Sequence, residues 1–155
     1  MDDPLSAFAF QTGTWRVRHR RLSRRLLGDT HWIEFDGSCR AYPLLGGAGN
    51  VDDFVIDDPA GSYRAATFRR REPDGDWSIF WADSRREGLD PPMRGRFEDG
   101  VGMFLGVAIE GRREVQVRFL WSEISATQAR WEQAFSLDGT TWEVNWIMQF
   151  ERVCD

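Results

Sequence analysis

The chain has 155 residues, enough for one domain spanning 1–155, and is 41% hydrophobic, 29% charged and 14% aromatic, with eight Trp and a net charge of −5. All 20 basic residues are Arg. The absence of Lys excludes a Schiff-base lysine, and with it pyridoxal phosphate and class I aldolase chemistry, and it excludes a P-loop nucleotide site. Cys39 and Cys154 lack CxxC spacing, so zinc has no support. Both are expected as free thiols, with a disulfide between them the weaker alternative. The opening MDDPLSAFAF is acidic and too short in apolar length for a signal peptide, and no run approaches about 18 apolar residues. The expectation is a cytoplasmic protein that does not enter a membrane.

In chain order, DPLSAFAF reads as a short N-terminal helix capped by Asp3 or Ser6. From Thr14 onward, period-two alternation dominates. TWRVRHR sets Trp15, Val17 and His19 on one side and Arg16, Arg18 and Arg20 on the other. HWIEFDG follows, then VDDFVID, SYRAATFRR and DWSIFWAD, separated by the turn signals DDPAG and EPDGD. GRFEDGVGMFLGVAI carries DG between two runs, a hairpin cue, and EVQVRFLWS, ARWEQAFS and TWEVNWIMQFER complete the chain. The sum is an all-β protein, an antiparallel up-and-down barrel of roughly 9–10 strands. Its dry face is expected to hold Val101, Met103, Leu105, Val107 and Ile109, then Val115, Val117, Phe119 and Trp121, then Trp131 and Phe135, then Trp142, Val144, Trp146, Met148 and Phe150. The opposite face carries Glu114, Gln116, Arg118, Arg130, Glu132, Glu143 and Glu151.

LLGGAGN (44–50) lacks Rossmann spacing and is taken as a mobile loop at the barrel mouth. Asp52-Asp53 and Asp57-Asp58 are taken as solvated turns. The arginines of RVRHRRLSRR are expected to face acidic residues on a neighbouring strand rather than a nucleic acid.

Gly13-Thr14-Trp15 opens the first strand, and Arg152 lies on the dry face of the last. This pairing resembles the lipocalin and calycin arrangement. The resemblance implies that Trp15 sits at the closed base and that Arg152 packs across it in a cation–π contact that plugs one end. FxFxxGTWRVxHRRL, WSIFWADSR, RWEQAFSxDG and TWEVNWIMxFxR are similar to segments of an uncharacterised bacterial family of lipocalin-like domains, which implies the barrel and no settled activity. A haem-binding group among lipocalin-like barrels uses a histidine late in the chain. Here the histidines are His19 and His31, both early, and no cofactor or metal is expected.

Strand parity places Trp15, Val17 and His19 inside, together with Trp77, Ile79, Trp81 and Asp83, and with Trp131, Gln133 and Phe135. The 31–39 strand points inward with either Ile33 and Phe35 or Trp32, Glu34 and Asp36, and the inward face of 63–71 is equally open. Two interiors fit: an aromatic-lined cavity or a core packed solid with rings. A binding barrel would take a small apolar or aromatic molecule against Trp81, Trp121, Trp131, Trp146 and Met148, oriented by Gln133 and His19. The alternative is a cofactor-independent cyclase, isomerase or hydratase with His19 as proton shuttle and Glu34 or Asp83 as partner acid. No G-x-S-x-G, HExxH or Cys–His signature favours covalent or zinc chemistry. The bland readings stand beside these: His19 a core histidine, Asp83 a turn cap, Gln133 bonded locally. No concentrated apolar outer patch is read, and no oligomeric state.

Overall fold

A computed structural model describes residues 7–153. The Asp3 or Ser6 cap and the Cys154 thiol lie outside the described residues. The ten strands are β1 (Gly13–Leu22), β2 (Trp32–Leu44), β3 (Gly49–Ile56), β4 (Tyr63–Arg71), β5 (Trp77–Asp83), β6 (Met93–Glu98), β7 (Val101–Glu110), β8 (Arg113–Ser122), β9 (Gln128–Ser136) and β10 (Glu143–Arg152). Each pairs antiparallel with its neighbour in sequence, and β1 pairs with β10, so the sheet closes without an edge. Helical structure among the described residues consists of two 3-10 turns, Ala9–Gln11 and Leu45–Gly47. No helix among them is long and apolar enough to cross a membrane.

The β1–β10 register sets Trp15 opposite Arg152, Val17 opposite Phe150, His19 opposite Met148 and Arg21 opposite Trp146. These pairs climb the barrel from base to mouth. At the base the Arg152 guanidinium lies 4.2 Å from the Trp15 ring centroid. It donates to the carbonyls of Thr12 and Phe10, each at 2.6 Å, and to that of Ala126 at 2.8 Å. Gly13 has φ +124°, and a Cβ there would come within 2.6 Å of Arg152 Nη1, so this turn requires glycine. Phe8 enters from below, edge-on to Trp77 and Phe97 at 5.1 and 5.0 Å, and Phe10 meets Trp121 at 5.3 Å. The lower half of the barrel is therefore filled with rings.

That filling determines which face of β7 turns inward. Gly102, Phe104, Gly106 and Ala108 point inside, because the lumen there is taken by Phe97 and Met93. A Cβ on Gly102 would lie 2.7 Å from the Phe97 ring, and one on Gly106 would lie 2.5 Å from Met93 Sδ. Val101, Met103, Leu105, Val107 and Ile109 consequently face outward with exposures of 41–70%. The expectation that this set forms the dry face is corrected, and an apolar outer stripe exists on β7. A second correction falls on β10. A bulge between Val144 and Trp146 shifts the register, so Val144 lies opposite outward-facing Ala134, and Trp142 stacks under Arg118 at 4.7 Å, away from the interior.

The acidic pairs are split by alternation rather than solvated together. Asp53 is exposed and meets Arg64 at 3.2 Å, whereas Asp52 is buried and meets Arg69 at 2.9 Å. Asp52 also accepts from Gln11 Nε2 at 3.0 Å and from the Thr67 amide at 2.9 Å. Arg69 lies over the Phe8 and Trp121 rings at 4.9 and 5.9 Å. The glycine-rich 44–50 segment joins β2 to β3 at this base, not at the mouth. Cys39 is a free thiol buried on the inner face of β2. On the outer face Arg18 reaches Asp36 at 2.9 Å and Arg20 reaches Glu34 at 3.7 Å.

Candidate functional site

The upper half of the barrel is open. An inner cavity of about 100 Å³ is walled by Ile79, Trp81, Phe119, Trp131, Gln133 and Trp146, among others. Above it lies a vestibule of about 530 Å³. Its rim is built by the β1–β2 turn, which brings Arg24 and Arg25, by the β3–β4 turn with Asp58, and by the start of the β5–β6 turn with Arg85. Arg25, Arg85, Glu110 and Trp146 line both spaces and form the neck between them.

Trp146 is the centre of the aromatic cage. It lies edge-on to Trp81 at 5.9 Å and to Trp131 at 5.2 Å. Its indole N–H donates to His19 Nδ1 at 3.1 Å. That bond fixes His19 as the neutral tautomer with its proton on Nε2. Phe35 stacks on the imidazole at 4.8 Å, and Nε2 points to the wall at Gly37, where a Cβ would sit 3.2 Å away. Nε2 has no hydrogen-bond partner among the described residues. His19 is a core residue that positions Trp146 and lines neither cavity.

Burial lowers the His19 pKa from its ordinary 6.5 to about 4, with Asp58 and Asp36 opposing weakly. A proton on Nδ1 would displace the Trp146 donor and place a charge among rings. The unfolded chain takes up that proton near 6.5 and the folded chain near 4, so in this window the unfolded state binds more protons. Stability is therefore expected to fall by about 2–3 kcal/mol as pH drops through the window, at roughly 1.4 kcal/mol per unit. Urea midpoints measured across it test this. His19→Gln keeps an acceptor for Trp146 and should remove this part of the pH dependence.

Asp83 is inward, with its side chain fully buried. Burial by itself would raise its pKa. Hydrogen bonds from Arg85 (3.0 and 3.1 Å) and from the Trp81 indole (2.9 Å) overcome that effect and hold the carboxyl well below its usual range. Asp83 is thus an ionised anchor for Trp81 and Arg85, and the expectation of a proton-donating acid is corrected. Glu34 is corrected too. Ile33 and Phe35 are the inward pair of β2, and Glu34 stands half exposed outside beside Arg20. The three groups of the catalytic alternative do not converge.

Of the six expected wall residues, Trp81, Trp131, Gln133 and Trp146 line the inner cavity. Gln133 donates to Asn145 Oδ1 at 2.9 Å, which ties it to the β10 bulge. Trp121 and Met148 fall lower, where they border a void of only about 20 Å³, so their expected place in the cavity wall is corrected. The arginines of the neck and vestibule were missed. Parity already carried the signal for Arg21, which continues Trp15, Val17 and His19 on the inner side and holds Asp58 through two bonds of 2.6 and 2.7 Å. Arg25 and Arg85 lie in turns, where no periodicity operates.

No protein-family model matches the chain, and no curated protein matches it. Among solved structures it is similar to the crystal structure of Rv2717c from M. tuberculosis. The TM-score is 0.66, the identity 10%, and 99% of each chain is covered. Similarity at that identity shows the shared fold alone.

Proposed function

We propose that this chain is a lipocalin-like barrel that binds a small, largely apolar or aromatic molecule in its open upper half. The observation that carries the reading is the aromatic cage of Trp81, Trp131 and Trp146 around an inner cavity that shares Arg25, Arg85, Glu110 and Trp146 with the vestibule, above a base that is packed shut. Concave apolar walls with a few polar groups at one end are the usual form of a small-molecule site. The inner cavity is about 100 Å³, below the roughly 150 Å³ that holds a benzene. A ligand would therefore insert a ring edge or a short branched chain and leave its remainder in the vestibule.

Titration with a panel of small aromatic and branched aliphatic compounds, read by tryptophan emission, tests the reading, because three indoles line the wall. Ala108 sits on the inner face of β7 beside this space. Ala108→Leu is expected to fill the inner cavity, to weaken binding by roughly tenfold or more through loss of apolar burial, and to leave the melting temperature within a few degrees. Unchanged affinity in that variant would place the ligand elsewhere and end this proposal.

A further inference from the structure

The neck and vestibule differ in charge from the rest of the chain. The protein carries −5 overall. The vestibule gathers five arginines, Arg21, Arg24, Arg25, Arg85 and Arg113, around two carboxylates, Asp58 and Glu110. Arg21 is fully engaged by Asp58. Arg85 is held from behind by Asp83 and lies 3.7 Å from the Tyr63 ring centroid. Arg25 is different. Its nearest carboxylate oxygen, on Glu110, is 3.8 Å away, beyond hydrogen-bonding distance, and its other neighbour is the Phe135 ring at 5.3 Å. Its side chain is only 29% exposed, and burial pulls its pKa down from the ordinary arginine value. A guanidinium offers a planar fork of donors suited to two oxygens at once.

We propose that the molecule bound in the barrel is an organic monocarboxylate, its carboxylate gripped at the neck by Arg25 beside Arg85 and its apolar end inserted among Trp81, Trp131 and Trp146. The inference rests on the binding reading above and names the ligand class. A single negative charge fits better than a double one, because Glu110 borders the same neck and repels a second charge. The carboxylate would supply Arg25 with the close partner that it lacks. With Asp83 and Asp29 pairing Arg85 and Arg24, the mouth keeps only a small positive excess, and its pull on such an anion would fall as salt rises.

The test uses matched pairs of equal shape, cinnamate against cinnamamide and isovalerate against isovaleramide, titrated calorimetrically into the full chain. The acids are expected to bind roughly tenfold or more tightly than their amides. Arg25→Gln should remove that preference by weakening the acids while leaving the amides nearly unchanged. Arg25→Lys, which keeps the charge without the fork, should restore part of it and guards against a glutamine variant that fails to fold. Equal affinity for acid and amide would overturn the monocarboxylate while leaving the binding barrel intact. A preference that survives in Arg25→Gln would overturn the assignment to the neck. No binding by any member of either pair or by the wider panel would overturn the binding reading as well.

Discussion

Asp52→Leu is expected to destabilise the barrel by about 4 kcal/mol, close to the range for removing one member of a buried ion pair. Asp52 and Arg69 meet at 2.9 Å with side-chain exposures of 0% and 4%. Losing the carboxylate would leave the Arg69 guanidinium without its counter-charge above Phe8 and Trp121, and would strip Gln11 and the Thr67 amide of their acceptor. Re-solvation offers no relief, since the base is closed by the Trp15–Arg152 plug. Urea denaturation checks the size. The double variant Asp52→Leu with Arg69→Met should recover much of the loss, because it removes both charges rather than one. A single variant as stable as the parent would show that water reaches Arg69 and that the base is not sealed.

Arg152→Ala is expected to cost about 3–4 kcal/mol. Arg152 donates to three backbone carbonyls, those of Phe10, Thr12 and Ala126, and covers the Trp15 ring. Hydrogen bonds from a charged donor contribute about 1.5–3 kcal/mol each, and the solvent-facing ones count toward the low end of that range. These bonds join the segment before β1, the β8–β9 turn and the last strand at a single point. Their loss should free the β1–β10 seam at the base. The melting temperature is expected to fall by roughly 10 °C for a chain of this size, and amide exchange should accelerate first at Gly13–Val17. Arg152→Lys should rescue only part of this, since an ammonium on a flexible stem lacks the fork that spans separate carbonyls. A drop of only a few degrees with exchange unchanged at the seam would remove the plug as the element closing the base.

Much of the fold was legible because a barrel strand has a simple physical signature. Every second residue of TWRVRHR is either dry or charged, and the turns between runs carry Asp, Gly and Pro where strands must reverse. The Trp15–Arg152 pairing was also legible, but through the resemblance to the lipocalin arrangement, which implies that contact, rather than through strand periodicity. The candidate site was legible only in part. Trp81, Trp131, Gln133 and Trp146 reach the cavity as parity required. Trp121 and Met148 obey the same parity and miss it, because parity gives the side of a wall and not its height. The vestibule was out of reach, since Arg25 and Arg85 lie in turns whose residues follow no period.

The linear chain by itself determined that consecutive strands pair antiparallel and, outside the β10 bulge, which residues alternate together on each strand. Those features depend on near neighbours along the chain and on local turn chemistry. Only the tertiary structure decided which β7 face turns inward, because both faces carry apolar residues and the choice rests on the volume left by Phe97 and Met93 of the adjoining strand β6. It also decided that the base is solid and the upper half open. Filling a lumen is a sum over ten strands at once, and no single stretch of sequence holds that sum.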